Sequence, residues 1–170
     1  MFRSYMPGFG DAVRMRGRMN SSTGRDTARI GPLEIRSLID SDASNGTHTV
    51  IEVIVPPDAE MPVPHSHDAF EETFLGLEGQ VTVIVEGREH RLQPGEAVCV
   101  QRGEIHGFRN DTAETIRFIG VAAPGVFGWP YFKEMAEAFA AFGEGPPDRA
   151  VLGEIMRRHG LTPASRPAAT

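Results

Sequence analysis

His65-Ser66-His67 sets two imidazoles two residues apart, and in an extended segment a period of two turns both toward one face. Neutral imidazole nitrogens bind iron, manganese, nickel, copper and zinc, so the pair supplies half of a metal site. A carboxylate follows closely, at Glu71 or Glu72, and a third imidazole, His106, stands on a separate segment further along. If Glu71–Leu77 is a strand, the two glutamates point to opposite faces and only one of them can join the histidines. Taken singly, an isolated His-x-His is often a surface or structural pair, and His106 could be satisfied in a core. Taken together, three imidazoles and one carboxylate form a borderline-hard donor set. It suits Fe2+, Mn2+, Ni2+, Co2+ or Zn2+ and suits Ca2+ poorly. Four protein donors on a six-coordinate ion leave two positions for substrate oxygens and O2 or water.

The elements that must position these residues are short strands. Leu33–Leu38 and Thr47–Val55 read as strands, the second rich in β-branched residues and stopped by Pro56-Pro57. Six further runs follow: Glu71–Leu77, Val81–Val85, Arg88–Leu92, Ala97–Gln101, Ile105–Arg109 and Thr115–Val121. Turn residues separate them, with Glu86-Gly87 a candidate two-residue hairpin turn. Many short strands with turns between them predict an all-β sandwich or barrel. After Pro124 the period changes. A helix is expected from Trp129 to Phe142, with Pro130 in its first turn and Phe132, Met135, Ala136 and Phe139 as packing residues. A second is expected from a cap at Asp148 to Arg158, with Arg157, Arg158 and His159 in the last turn and Gly160 at the stop. Residues 1–28 are expected to be an irregular leader, 29–125 the barrel, 126–161 a helical extension and 162–170 a disordered tail.

The formal charge of −6, from 17 basic and 23 acidic side chains, argues against a nucleic-acid footprint, and the early arginines Arg3, Arg14, Arg16, Arg18 and Arg25 are scattered. Cys99 stands alone, so neither an intramolecular disulfide nor a CxxC site can form; it lies in an apolar run and is expected to be buried. No apolar stretch approaches the roughly 18–20 residues of a membrane helix, and no signal-peptide core is visible. A cytoplasmic protein with a small-molecule partner, neither nucleic acid nor membrane, is the expectation.

The spacing His65-x-His67-x4-Glu72-x6-Gly79 resembles the first motif of the cupin superfamily, and Gly95-x5-Gln101-x-Gly103-x2-His106-x3-Asn110 resembles its second. The likeness spans Arg29 to Pro124, and the helices after it are similar to the C-terminal extension of quercetin-dioxygenase-like single-domain cupins. It implies a single cupin (jelly-roll, double-stranded β-helix) barrel with a C-terminal pair of α-helices. It also assigns the metal to His65, His67, Glu72 and His106, choosing Glu72 over Glu71. Fe2+ is the favoured ion, Glu72 a possible proton acceptor, and a homodimer the implied assembly. Asn110 is expected to fix the turn after His106 through backbone bonds. Phe74 and Phe108 share faces with donors and are cavity-wall candidates.

Three departures stand out. Gln101 replaces a usual proline, Ala59-Glu60 lacks a usual glycine, and Gly76 takes a position where similar proteins often carry a bulky aliphatic residue. Gly76 either widens the cavity for a ring substrate or accommodates nearby backbone. The activity implied is a dioxygenase-type oxidoreductase acting on an oxygenated, aromatic or cyclic small molecule. The alternatives are a redox-neutral isomerase, cyclase or lyase, and a non-catalytic binding module.

Overall fold

The computed structural model describes residues 26–143, 145 and 147–164, so the leader up to residue 25 and the tail beyond 164 lie outside the described residues. Strands β1 (Thr27–Ile30), β2 (Leu33–Ile39), β3 (Thr49–Val55), β4 (His65–His67), β5 (Glu71–Glu78) and β6 (Val81–Val85) come first. Next come β7 (Arg88–Leu92), β8 (Ala97–Val100), β9 (His106–Arg109) and β10 (Ile116–Ala123). Helices α1 (Trp129–Phe142) and α2 (Arg149–Arg158) and strand β11 (Leu161–Pro163) complete the described residues. All pairings are antiparallel, in one sheet ordered β1-β2-β3-β10-β5-β8 and a second ordered β11-β4-β9-β6-β7.

Alternation makes this arrangement stable. β10 reads buried, half-buried, buried along its length, sending Ile116 and Phe118 inward into one core with Val55, Phe74, Val83 and Val100 from four other strands. Each such side chain removed from water contributes about 1.5–3 kcal/mol. The β6–β7 hairpin turns on Glu86 and Gly87, both at positive φ, which twists with the strands it joins.

α1 begins after Gly128, whose missing side chain is replaced by Asp40: its Oδ1 accepts from the Trp129 N–H at 3.0 Å. α2 is capped by Asp148, which accepts from the Ala150 N–H at 2.8 Å, and Gly160 leaves it at positive φ. Among the described residues no helix is long and apolar enough to cross a membrane.

Three expectations need correction. The leader was drawn through residue 28, but Thr27 and Ala28 already belong to β1, which pairs with β2 across the tight Gly31 turn. Its alternation spans only four residues, too few to carry a period. Thr162 and Pro163 are strand, not tail: β11 pairs with β4, and the Ala164 N–H donates to Pro64 O at 2.8 Å. Cys99 is exposed. On β8 it is Val100 that enters the core, so parity turns Cys99 outward from an otherwise apolar run.

Candidate metal centre

β4 carries His65 and His67 between two strands: His65 lies opposite His106 of β9, and on the other edge Leu161 lies opposite His67 and Pro163 opposite His65. A three-residue strand has too few bonds to hold itself, so the extension's last strand is what fixes it. Glu72 sits in the facing sheet on β5, flanked by Val100 of β8 and Ala122 of β10. Both sheets thus aim donors into the space between them.

Each of the three imidazoles is oriented by a backbone carbonyl. His65 Nδ1 is 3.1 Å from Val63 O, His67 Nδ1 is 2.7 Å from Phe70 O, and His106 Nδ1 is 3.1 Å from Glu104 O. A carbonyl only accepts, so Nδ1 must donate, and the neutral ring then carries its lone pair on Nε2. This is how metal-ligating histidines are held. The Phe70 ring also stacks on His67 at 3.9 Å between centroids.

His67 and His106 are fully buried, yet the Nε2 atom of each has no hydrogen-bond partner. Glu72 Oε2 faces them from 3.6 Å and 3.3 Å respectively. The three donor atoms of His67, Glu72 and His106 lie within 4.8 Å of one another. Buried polar atoms are normally paired, so two orphaned lone pairs beside a carboxylate fit a cation that completes them. Burial pushes the Glu72 carboxyl up, but His106 and His67 outweigh it and hold the group ionised, down to about 2. Burial pushes His65 down to about 3, reinforced by His106 and opposed by Glu72, so its ring stays neutral.

The structure does not gather all four expected donors equally. His65 is buried beside the cluster, with its ring centroid 4.7 Å from His106 and 6.1 Å from His67, but it is not one of the three whose donor atoms converge. Glu71 turns away, as parity requires, and binds Arg102 by both oxygens, at 2.8 Å and 3.1 Å.

Next to Glu72 and His65 lies a cavity of about 70 Å3, and both Phe74 and Phe108 line it. Gly76 does not. A Cβ there would lie 2.4 Å from the Gln93 carbonyl oxygen, so the glycine admits backbone, and the case for a widened cavity falls with it. Gln101 in place of proline also has a physical role: its N–H donates to Glu104 Oε2 at 2.8 Å, while the Gly103 N–H reaches His67 O at 3.0 Å. The second motif thereby braces the first. Asn110 fixes its turn, donating to Val55, Pro56 and Glu114 carbonyls and accepting from Thr112.

Sequence reasoning missed several contributors. Phe70 clamps His67. Gly120 leaves room for Glu72, since a Cβ there would lie 3.3 Å from Oε1. Phe127, Tyr131, Phe132 and Met135, from α1 and the turn before it, wall the cavity, where α1 was expected only to pack on the barrel. The helical phase of Phe132 and Met135 was visible; that their face closes a cavity depends on the docking of α1, which no local pattern records.

The family profile for the cupin domain matches residues 51–122, the stretch holding all the donors. Quercetin 2,3-dioxygenase of Bacillus subtilis is 35% identical over 83 residues, covering 49% of this chain, and the chain spans only 24% of that enzyme's length. The polyketide cyclase RemF of Streptomyces resistomycificus is 30% identical in sequence, with a TM-score of 0.52 over 59% of this chain and 75% of that one. A predicted oxalate decarboxylase of Thermotoga maritima shares the fold at 20% identity, with a TM-score of 0.55 over 61% and 96% of the two chains. Two antiparallel sheets, matched motifs and a relative covered over most of its length agree, and the chain belongs to the cupin superfamily.

Proposed function

We propose that this protein is a metal-dependent enzyme of the dioxygenase type, acting on a small molecule whose oxygens chelate the ion. The observation that carries the reading is the pair of buried, carbonyl-oriented imidazoles whose Nε2 lone pairs lack partners and face an ionised carboxylate. Two imidazoles and a carboxylate are the donor composition of non-haem Fe(II) oxygenases, which favours Fe2+ over Mn2+, Ni2+, Co2+ and Zn2+. His65, neutral and adjacent, is the proposed fourth donor.

When bound, the ion would supply Lewis acidity to substrate oxygens and, as iron, electron transfer with O2. The protein's own residues do the rest. Val63, Phe70 and Glu104 carbonyls hold the rings in one tautomer. Glu72 stands between the donors and the cavity, where an oxygen can receive a substrate proton. A carboxylate held near 2 is a weak base, so ligation is its first role and proton acceptance its second. Phe74, Phe108 and Phe118 exclude water from the space beyond. That space is small, since roughly 150 Å3 is needed to hold benzene. It takes a few heavy atoms, and a ring substrate would extend beyond it.

Iron-loaded protein should consume O2 with at least one member of a panel of small enols, enediols and phenols; no uptake across the panel rejects the reading. The likeness to RemF favours a second reading, a redox-neutral cyclase, isomerase or lyase. Turnover under strict anaerobiosis, or with Zn2+ in place of Fe2+, selects that one. A homodimer is proposed from the family resemblance, and sedimentation equilibrium tests it.

A further inference from the structure

The cavity beside the metal centre has walls that are almost wholly apolar, and its polar side chains are few. Two of them, His65 and Glu72, belong to the proposed donor set. The third is Tyr131, two residues into α1. Its side chain is 7% exposed, and its phenol has no hydrogen-bond partner among the described residues. The hydroxyl is not among the sealed polar atoms of the fold, so it is free to meet an acceptor that enters the cavity.

The ring itself is tightly held. Phe127, Phe132 and His159 surround it with centroids at 4.9, 5.2 and 5.7 Å. The backbone that carries it is pinned to the barrel by Asp40 on the Trp129 N–H and by Thr49 Oγ1, which donates to Phe127 O at 2.5 Å. On the far side, α2 is tied to α1 through Glu134, which meets His159 Nε2 at 2.7 Å and also pairs with Arg158. A firmly held, unpaired donor on the wall of a site is open to an acceptor that enters the cavity.

We propose that Tyr131 is a specificity-determining residue of this site, donating a hydrogen bond to an oxygen on the part of the substrate that enters the cavity. This rests on the metal-chelation reading above and narrows its substrate class. The ligand is a small oxygen chelator carrying a second acceptor oxygen, a few bonds from the chelating pair, on the arm that points away from the ion. Burial, with the charge on Glu72, pushes the phenol well above its ordinary range, so it remains a donor at every working pH.

Two probes test this with zinc-loaded protein, where no redox chemistry intrudes. Acetohydroxamate and glycolohydroxamate share one chelating head and one charge and differ by a single hydroxyl on the arm. Calorimetric titration of wild type and Tyr131→Phe with each gives a four-cornered cycle in which differences in metal affinity cancel. The phenylalanine variant keeps the ring contacts and loses only the donor. Its affinity for glycolohydroxamate should fall about three- to tenfold, the range of one hydrogen bond, with acetohydroxamate changed less than twofold. Equal loss of both probes, or loss of neither, overturns the role of Tyr131 and leaves the metal site standing. Failure of the wild type to bind either probe overturns the chelation reading and this inference together.

Discussion

Two glutamates, Glu52 on β3 and Glu72 on β5, sit in the same six-stranded sheet and are both largely buried, yet their surroundings differ. Glu52 is met by cations. Arg117 Nε donates to it at 2.8 Å, a second Arg117 nitrogen closes on the same oxygen, and Arg36 reaches the other at 3.4 Å. Glu72 is met by two imidazoles whose buried Nε2 atoms have no hydrogen-bond partner. Both carboxyls lie below their ordinary range despite burial, so neither titration nor exposure tells them apart. What separates them is whether the partners are themselves satisfied. A completed ion pair is architecture, whereas a carboxylate beside unpartnered nitrogens is a donor set that fits a cation.

The largest effect that would break this distinction is on metal content. His67→Ala and His106→Ala should each reduce bound metal from about one per chain to near zero, in elemental analysis of protein purified without chelators. Glu71→Ala should leave it intact, because Glu71 is engaged with Arg102 outside the site. Full occupancy in either histidine variant would remove the site.

The second effect is on acid stability of the metal-free protein. His65 has its pKa lowered to about 3 from 6.5, so the unfolded chain binds a proton that the folded chain refuses. Stability is therefore complete above 6.5 and falls as pH drops toward 3, by at most about 1.4 kcal/mol per unit. Glu52 and Glu72, with lowered values, add their own losses only below about 4.5. Urea midpoints between pH 6.5 and 4.5 lie above the carboxylate losses, and His65→Gln should reduce the slope in that window. An unchanged slope in the variant would show that another group carries it.

A third, smaller effect separates the glutamates directly. Glu52→Gln should cost about 1–3 kcal/mol in urea unfolding, less than a fully buried pair, because Arg36 and Arg117 are 35% and 37% exposed and can rehydrate. Its metal content should not change. Glu72→Gln should lower the metal-free midpoint as well, since its lowered pKa means that its charge stabilises the fold, and it is the weakened metal binding that sets it apart from Glu52→Gln.

Much of this was legible in the sequence, for reasons that differ by element. Both helices were read with the ends they have in the structure, since Pro130, Asp148 and Gly160 are punctuation with local causes. The Glu86-Gly87 hairpin follows from its turn residues, whereas parity said only that one of Glu71 and Glu72 faces inward and the motif resemblance chose Glu72. β1 and β11 were not legible, because three- and four-residue strands have no period and exist only through their partners. Tyr131 was missed for the same kind of reason. Its helix was expected, but the cavity it faces is assembled from strands and loops far away in the chain. Even His65, half of the most suggestive pair, needed three dimensions to be set slightly apart from the converging three.

Gly76 gives the finest test of how far parity can be trusted, because it lies on Glu72's own strand and shares its parity. Four residues along, that face no longer looks onto the cavity. It meets the 93–96 turn, where the Gly76 N–H donates to Glu96 O and the Gly95 N–H donates to Gly76 O, both at 2.9 Å. Gly76→Ala should therefore cost about 1–2 kcal/mol, as a methyl is forced against the Gln93 carbonyl. Metal content and hydroxamate affinity should stay at wild-type levels. A side chain filling the substrate space would instead weaken the probes and spare stability. Stability lost without any change in binding would place the end of the site between Phe74 and Gly76, where the inner face of β5 passes from lining a cavity to packing against a turn.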